Sequence, residues 1–337
     1  MRTINFATPH PTAILLLATF AATTALWGMP DTARGQIFVT KQDGFTVGEY
    51  TLSGATVNAA LINGLINPNG IAVSGSNLFI PNYNSGTIGE YTTSGALVSA
   101  SLISGLNGPL GIAVSGSNLF VVNNQNGTIG EYTTSGTTVN AALVSGLGSP
   151  TFIAVSGSNL FVVDRNTDAI GKYDATTGAT VNASLITGLG APYGVAVSGS
   201  NLFIADDGDG TLYGGRIGEY TTSGAVVNGV LIVGLGGPNG IVVSGSNLFV
   251  ANTYDSYHGT HSFGSIGEYT ISGATVNASL VAPLVSGLTD NPFGIAVAVP
   301  EPNSLALAAL GFAGLAAWAC RRHISHIGTA SPWKTRA

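Results

Sequence analysis

Residues 111–147, GIAVSGSNLFVVNNQNGTIGEYTTSGTTVNAALVSGL, decide the fold. Ile112-Ala113-Val114 is a short apolar run, and Ser115-Gly116-Ser117-Asn118 is a turn by composition. Leu119-Phe120-Val121-Val122 is a β-branched and aromatic run, followed by a second turn from Asn123 to Gly127. Thr128 to Thr133 alternates, with Ile129 and Glu131 on one face and Gly130 and Tyr132 on the other. Thr134-Ser135-Gly136 closes a hairpin, and Val139 to Val144 is the fourth run. Short strands divided by Gly, Ser and Asn turns argue against helix.

The same unit recurs along the chain. Gly-Glu-Tyr begins at Gly48, Gly89, Gly130, Gly218 and Gly267, and Gly171-Lys172-Tyr173 is a sixth copy. The first four copies are 41 residues apart and the last two gaps are 47 and 49. Ser-Gly-Ser-Asn-Leu-Phe starts at Ser74, Ser115, Ser156, Ser198 and Ser244, and a Gly-Leu pair ends each unit. Four strands in about 40–45 residues is the blade of a β-propeller, and a parallel β-helix would need a much shorter repeat. The first copy, Ile37-Phe38-Val39, begins at a second strand, whereas the last, Pro292 to Val297, ends after a first strand. The fragments add up to one blade, so the expectation is an all-β, six-bladed propeller over 36–298. In it Gly294–Val299 pairs beside Ile37–Val39 and removes two open edges.

A family resemblance follows from these residues. Pro109-Leu110-Gly111-Ile112-Ala113-Val114 with Asn118-Leu119-Phe120-Val121-Val122-Asn123 resembles an NHL repeat, and Ile204-Ala205-Asp206 and Val250-Ala251-Asn252 fit its second half best. Ser115 and its equivalents replace the usual Asp, and only Arg216-Ile217 keeps the usual Arg-Ile. The resemblance implies the fold more firmly than any one activity.

Charged residues make up 8% of the 337-residue chain and apolar ones 45%, which excludes a disordered chain. With Cys320 alone, no internal disulfide and no Cys-based zinc site can form. Between Gln36 and Pro302 four basic residues face fifteen acids, a net of −11. A body that acidic does not neutralise phosphates, so no nucleic-acid partner is expected.

The ends read as addresses. Arg2, the apolar stretch Ala13 to Leu26 and the small residues of Ala33-Arg34-Gly35 read as a signal peptide over 1–35, cut before Gln36; an uncleaved anchor is the alternative. At the other end, Val299-Pro300-Glu301-Pro302 precedes an apolar run from Leu305 to Cys320 and then Arg321-Arg322. That run is barely long enough to cross a bilayer as a helix, and the arginines would stay on the cytoplasmic side with 323–337 as tail. Residues 299–322 resemble the PEP-CTERM sorting signal of Gram-negative bacteria. The resemblance implies export, cutting by an exosortase-type membrane protease, and display at the cell surface or in the exopolysaccharide matrix, with exopolysaccharide or a surface protein as partner. The tail from Ile324 to Ala337 is longer than usual for that signal, and an ordinary tail anchor is the alternative.

Two sets of residues are candidates for chemistry. The residue after each second strand is Lys41, Asn82, Asn123, Asp164, Asp206 or Asn252. A ring of carboxylates and amides at a channel mouth binds a hard cation such as calcium through oxygen, as related six-bladed lactonases do; alternatively these groups satisfy turn amides. The second set lies in two long loops. From that position to the Glu or Lys of the Gly-Glu-Tyr site, blades one to four span 8 residues, blade five 13 and blade six 16. The insertions bring Asp207, Asp209, Tyr213, Arg216, Tyr254, Asp255, Tyr257, His258, His261 and Phe263, an aromatic and polar set of the kind that stacks on sugars.

No nucleophile elbow stands outside the repeated Ser-Gly-Ser turn. Both body histidines, His258 and His261, sit in one loop, so the resemblance to streptogramin lyase propellers, which use a histidine and acids around magnesium, does not extend to a site. Asp206-Asp207-Gly208-Asp209-Gly210 lacks the later ligands of an EF-hand. The functional expectation is an exported binding or scaffold module without assigned catalytic residues. A metal-dependent lactonase- or lyase-like enzyme is the alternative, and a purely structural matrix protein a third.

Overall fold

The computed structural model describes residues 35–208, 214–253, 264–281 and 291–299. They form six four-stranded antiparallel sheets, each packed mainly against its two neighbours around a ring. Blade two (Ala72–Ser74, Asn77–Asn82, Thr87–Thr92, Leu97–Ile103) runs in simple order from the axis outward, as do the next four. Blade one is built from both ends of the chain. Pro292–Ala298 is its innermost strand and pairs antiparallel with Gln36–Lys41, with Ile37 opposite Val297 and Val39 opposite Ile295. The ring therefore closes as its fragments require.

The repeated motifs are bonded to one another. In blade three the Asn118 side chain donates to the Glu131 carboxylate at 2.7 Å, so the turn asparagine and the Gly-Glu-Tyr glutamate are cross-strand partners. The same pair recurs as Asn77–Glu90, Asn201–Glu219 and Asn247–Glu268, with Gln36–Glu49 in blade one. In blade four Lys172 takes the glutamate's place and donates to the Thr222 carbonyl of blade five at 3.3 Å. The motif glycine has its own cause. A Cβ on Gly130 would lie 2.6 Å from the Tyr132 ring, which folds back over it. An aromatic lying on a strand glycine covers backbone that would otherwise be wet.

Six apolar clusters fill the six seams between blades. The closing seam packs Ile37, Val39 and Tyr50 of blade one against Phe249, Ala251 and Ile266 of blade six. It is built like the others, which is what a true ring demands.

Five of the six innermost strands run further than their apolar cores imply, whereas that of blade two is only Ala72–Ser74. Blade three's is Pro109–Ser115, with a bulge between Pro109 and Ile112. The prolines that start these five strands, and Pro68 ahead of blade two's, each pair with the last residue of a second strand, for example Pro150 with Asp164. Starts of first strands and ends of second strands thus share one face, here called the upper face. Among the described residues no helix is long and apolar enough to cross a membrane. The terminal hydrophobic helices, the 1–35 signal peptide up to residue 34, the apolar run at 305–320, the sorting residues Pro300, Glu301, Pro302, Arg321 and Arg322, and the 323–337 tail lie outside the described residues.

Candidate ligand site at the upper channel mouth

The innermost strands surround a channel of about 270 Å³ lined by Ile, Val and Ala together with Phe152 and Gly240. Its upper mouth is where otherwise near-identical blades differ. The position after the proline that precedes or starts each innermost strand, at this end of the ring, is Asn69, Leu110, Thr151, Tyr193, Asn239 or Phe293, of which Asn69, Thr151, Asn239 and Phe293 are buried. The residue following each second strand adds Gln42, Tyr83, Asn124, Arg165, Asp207 and Thr253. The Pro-x-Gly glycines are there for close approach: a Cβ on Gly294 would lie 2.4 Å from the Asn69 carbonyl, and one on Gly194 2.1 Å from that of Asn239. Blade four alone replaces this glycine, with Phe152.

Phe152 and Phe293 stack across the channel at 5.6 Å between centroids, tilted by 30°. Tyr193 meets Phe293 edge-on at 6.2 Å. The Arg165 guanidinium lies 4.0 Å over the Tyr193 ring and donates from Nη1 to the Tyr193 hydroxyl at 2.6 Å. Its Nε is buried, and among the described residues it has no hydrogen-bond partner and the guanidinium no ion pair. Inter-blade bonds complete the rim. Tyr83 donates to Asn124 at 3.4 Å, Asn124 to the Pro150 carbonyl at 2.9 Å, and Gln42 to Asn69 at 3.1 Å. Aromatic faces, amides and one cation with a spare donor converge on a rigid ring, the usual composition of a small-ligand site.

The six residues at the second-strand ends are placed differently. The Asp164 carboxylate accepts from the amides of Gly148, Ser149 and Asn166 at 2.8–3.0 Å, and Asn82 accepts from the Ile66 amide at 3.2 Å. Both tie down the crossover loop entering their own blade. Lys41 is buried and donates to the Ala59 carbonyl at 2.8 Å. Asn123 donates to Thr128 at 3.2 Å, while the buried Oδ1 atoms of Asn123 and Asn252 have no partner among the described residues. Asp206 is 1% exposed and accepts from Gly190, Ala191 and Gly208 amides and, at 2.7 and 3.0 Å, from Arg216. Burial pushes its carboxyl upward, but the Ala191 and Gly190 amides, the Arg216 guanidinium and the Gly208 amide outweigh that and hold it below the ordinary range. Among the described residues no three His, Cys, Asp or Glu side chains stand together to hold a metal ion.

Of the long-loop residues, Asp207 and Arg216 are described; Asp209, Tyr213, Tyr254, Asp255, Tyr257, His258, His261 and Phe263 are outside the described residues. Arg216 is engaged by Asp206, and the Asp207 amide donates to the Ala191 carbonyl at 3.0 Å. Sequence reasoning passed over Phe152, Tyr193, Phe293, Arg165 and Tyr83. Aligning the copies position by position would have found them, since they occupy variable columns in a repeat whose other columns barely change.

Comparison with known proteins agrees with this architecture. Residues 298–322 match the PEP-CTERM protein-sorting motif. No curated protein sequence matches significantly. A chain of the nidogen/laminin complex superposes with a TM-score of 0.61 at 16% identity, covering 79% of this chain and all of the other. A streptogramin B lyase reaches 0.55 at 19% identity, covering 77% and 83%, and a gluconolactonase from Xanthomonas campestris 0.51 at 15%, covering 64% and 76%. At such identities the likeness carries the fold alone. The chain is thus a six-bladed β-propeller that carries, at its C-terminal side, a motif for export and surface sorting.

Proposed function

We propose that this protein is a displayed binding module whose upper channel mouth takes a neutral saccharide unit, as in an exopolysaccharide. The carrying observation is that variation among the blades is concentrated in the residues lining that mouth, with Arg165 stacked on Tyr193 and its Nε donor unused. Sugars present apolar CH faces to aromatic rings and hydroxyls to amides, and the acidic body disfavours polyanions. The blade-five and blade-six loops join strands at this same face, so their aromatics would extend the site. On this reading residues 1–35 are removed on export, and an exosortase-type protease cuts near Pro302.

A glycan array with the exported protein tests the binding. Tyr193→Ala and Arg165→Ala should each weaken the best glycan about tenfold or more, the cost of losing a stacking face or a charged donor. Binding left unchanged by both substitutions sinks the assignment. Intact-mass analysis of surface material tests the processing, because Trp333 retained in it would leave the C-terminal segment uncut.

A further inference from the structure

Blade four supplies a cation where the other blades have a carboxylate. Lys172 stands in the glutamate's place, its ammonium lies 5.6 Å over the Phe161 ring, and it donates across the seam to the Thr222 carbonyl of blade five at 3.3 Å. The preceding seam, between blades three and four, has the same parts in register. Phe120 lies opposite Glu131 on paired strands, as Phe161 lies opposite Lys172. Ala175 holds the place of Thr222, since each donates its amide to the last serine carbonyl of its own blade's Ser-Gly-Ser turn. On blade three, however, the reaching group is a carboxylate.

This seam is also open. The residue at the Ala175 position is Leu52, Thr93, Thr134, Thr222 or Ile271 in the other blades, and only blade four reduces it to alanine. A cavity of about 320 Å³ lies there, with Phe120, Glu131 and Ala175 buried at its base and Ser115, Ser158 and Thr176 at its rim. The Thr176 wall is preformed, because the Asp174 carboxylate accepts from the Thr176 and Thr177 amides at 3.0 and 2.8 Å. Glu131 is 7% exposed. Its Oε1 accepts from Asn118 at 2.7 Å, and its Oε2 has no partner among the described residues. Burial pushes this carboxyl up, and the Asn118 bond offsets that only in part.

We propose that this cavity is a second ligand site, and that it takes a protonated primary amine. There an ammonium pairs with Glu131 Oε2, lies over the Phe120 ring and donates to the Ala175 carbonyl, which is the placement Lys172 takes one seam on. The body of net −11 draws small cations toward it. The rim hydroxyls of Ser115, Ser158 and Thr176 suit an amino sugar, and the Phe120 and Val155 surfaces suit an alkylamine. The cavity opens at the ends of first strands, on the face opposite the upper mouth, so it is independent of the saccharide reading there.

Titration calorimetry of the full chain at neutral pH tests the site, with n-butylamine, its uncharged isostere n-butanol, and glucosamine as probes. Butylamine should bind about tenfold or more tightly than butanol, the difference a charged hydrogen bond makes. Glu131→Gln should weaken both amines by about the same factor. Ala175→Thr installs the residue that three other blades carry, so it leaves the blade folded, and it should abolish amine binding by filling the cavity. Glucosamine binding more tightly than butylamine identifies an amino sugar as the ligand class, and the reverse order an alkylamine. No binding of either amine, butanol equal to butylamine, or amine binding that survives Glu131→Gln or Ala175→Thr would each overturn the proposal.

Discussion

Phe152 and Phe293 stand on the innermost strands of blades four and one, which face each other across the ring, and their rings meet with centroids 5.6 Å apart. The contact spans the channel axis, so it acts as a plug and links the blade made from both chain ends to the blade opposite. Phe293 is 8% exposed beneath this contact. Phe293→Ala should therefore cost about 3 kcal/mol, the usual range for removing a buried aromatic. Phe152→Ala should cost less, since that ring is only half-buried. Denaturant melts of the two variants measure the difference. Equal, small losses would mean that the plug contributes nothing beyond its area.

The buried Asp206–Arg216 pair is the second test. Arg216→Leu leaves the 1%-exposed Asp206 carboxylate with backbone amides only. Breaking one side of a buried pair costs about 3 kcal/mol where both partners are shielded, and less here because Arg216 is 31% exposed. Asp206→Asn should also destabilise, as a neutral amide cannot accept from all of Gly190, Ala191, Gly208 and Arg216. Stability measured above pH 6 should fall for both.

Acid dependence follows from groups shifted in opposite directions. Burial raises Glu49, Glu131 and Glu268 above 4.5, only partly offset by hydrogen bonds from Gln36, Asn118 and Asn247. For these the folded state holds protons that the unfolded state has lost, so their contribution is full below 4.5 and declines as pH rises through the folded values. Asp206 and Asp174 are lowered below 3.8, Asp174 by the Thr177 amide and hydroxyl and the Thr176 amide. Their contribution is present above 3.8 and is lost as pH falls through the folded values. Thermal melts should thus show greatest stability in mildly acidic buffer, with a decline toward neutrality and a steeper one in strong acid. A profile rising steadily from pH 4.5 to 7 would contradict the raised glutamates.

The ring was legible in the sequence because its repeats share landmarks whose causes are local. Asn118 and Glu131 bond to each other, and Gly130 makes room for Tyr132, so each copy must retain them to form its own blade. Counting strands at the two ends then required Pro292–Ala298 to lie beside Gln36–Lys41. The channel mouth was not legible in the same way. Phe152 and Phe293 are 141 positions apart and meet only because the ring brings opposite blades together. The Asp164 and Asp206 carboxylates matched a cation-ring pattern by residue type, yet each bonds amides of a crossover loop, a geometry that spacing does not encode.

Two glycines separate the causes of glycine in this repeat. Gly54 has φ +85°, and a Cβ there would lie 2.2 Å from the Leu280 carbonyl across the seam between blades one and six. Gly75 has φ +56°, and a Cβ there would have nothing within 4 Å. Gly75→Ala pays only for a left-handed alanine, about 1 kcal/mol. Gly54→Ala adds a backbone clash that no rotamer relieves, so it should cost about 2–4 kcal/mol, and it should do so by loosening the closing seam. Hydrogen exchange locates the damage. The amides of Gln36–Lys41 and Pro292–Ala298 should lose protection in Gly54→Ala before those of blade three, whereas Gly75→Ala should leave this order unchanged. Uniform loss of protection in Gly54→Ala would show that the ring opens as one unit rather than at its closing blade.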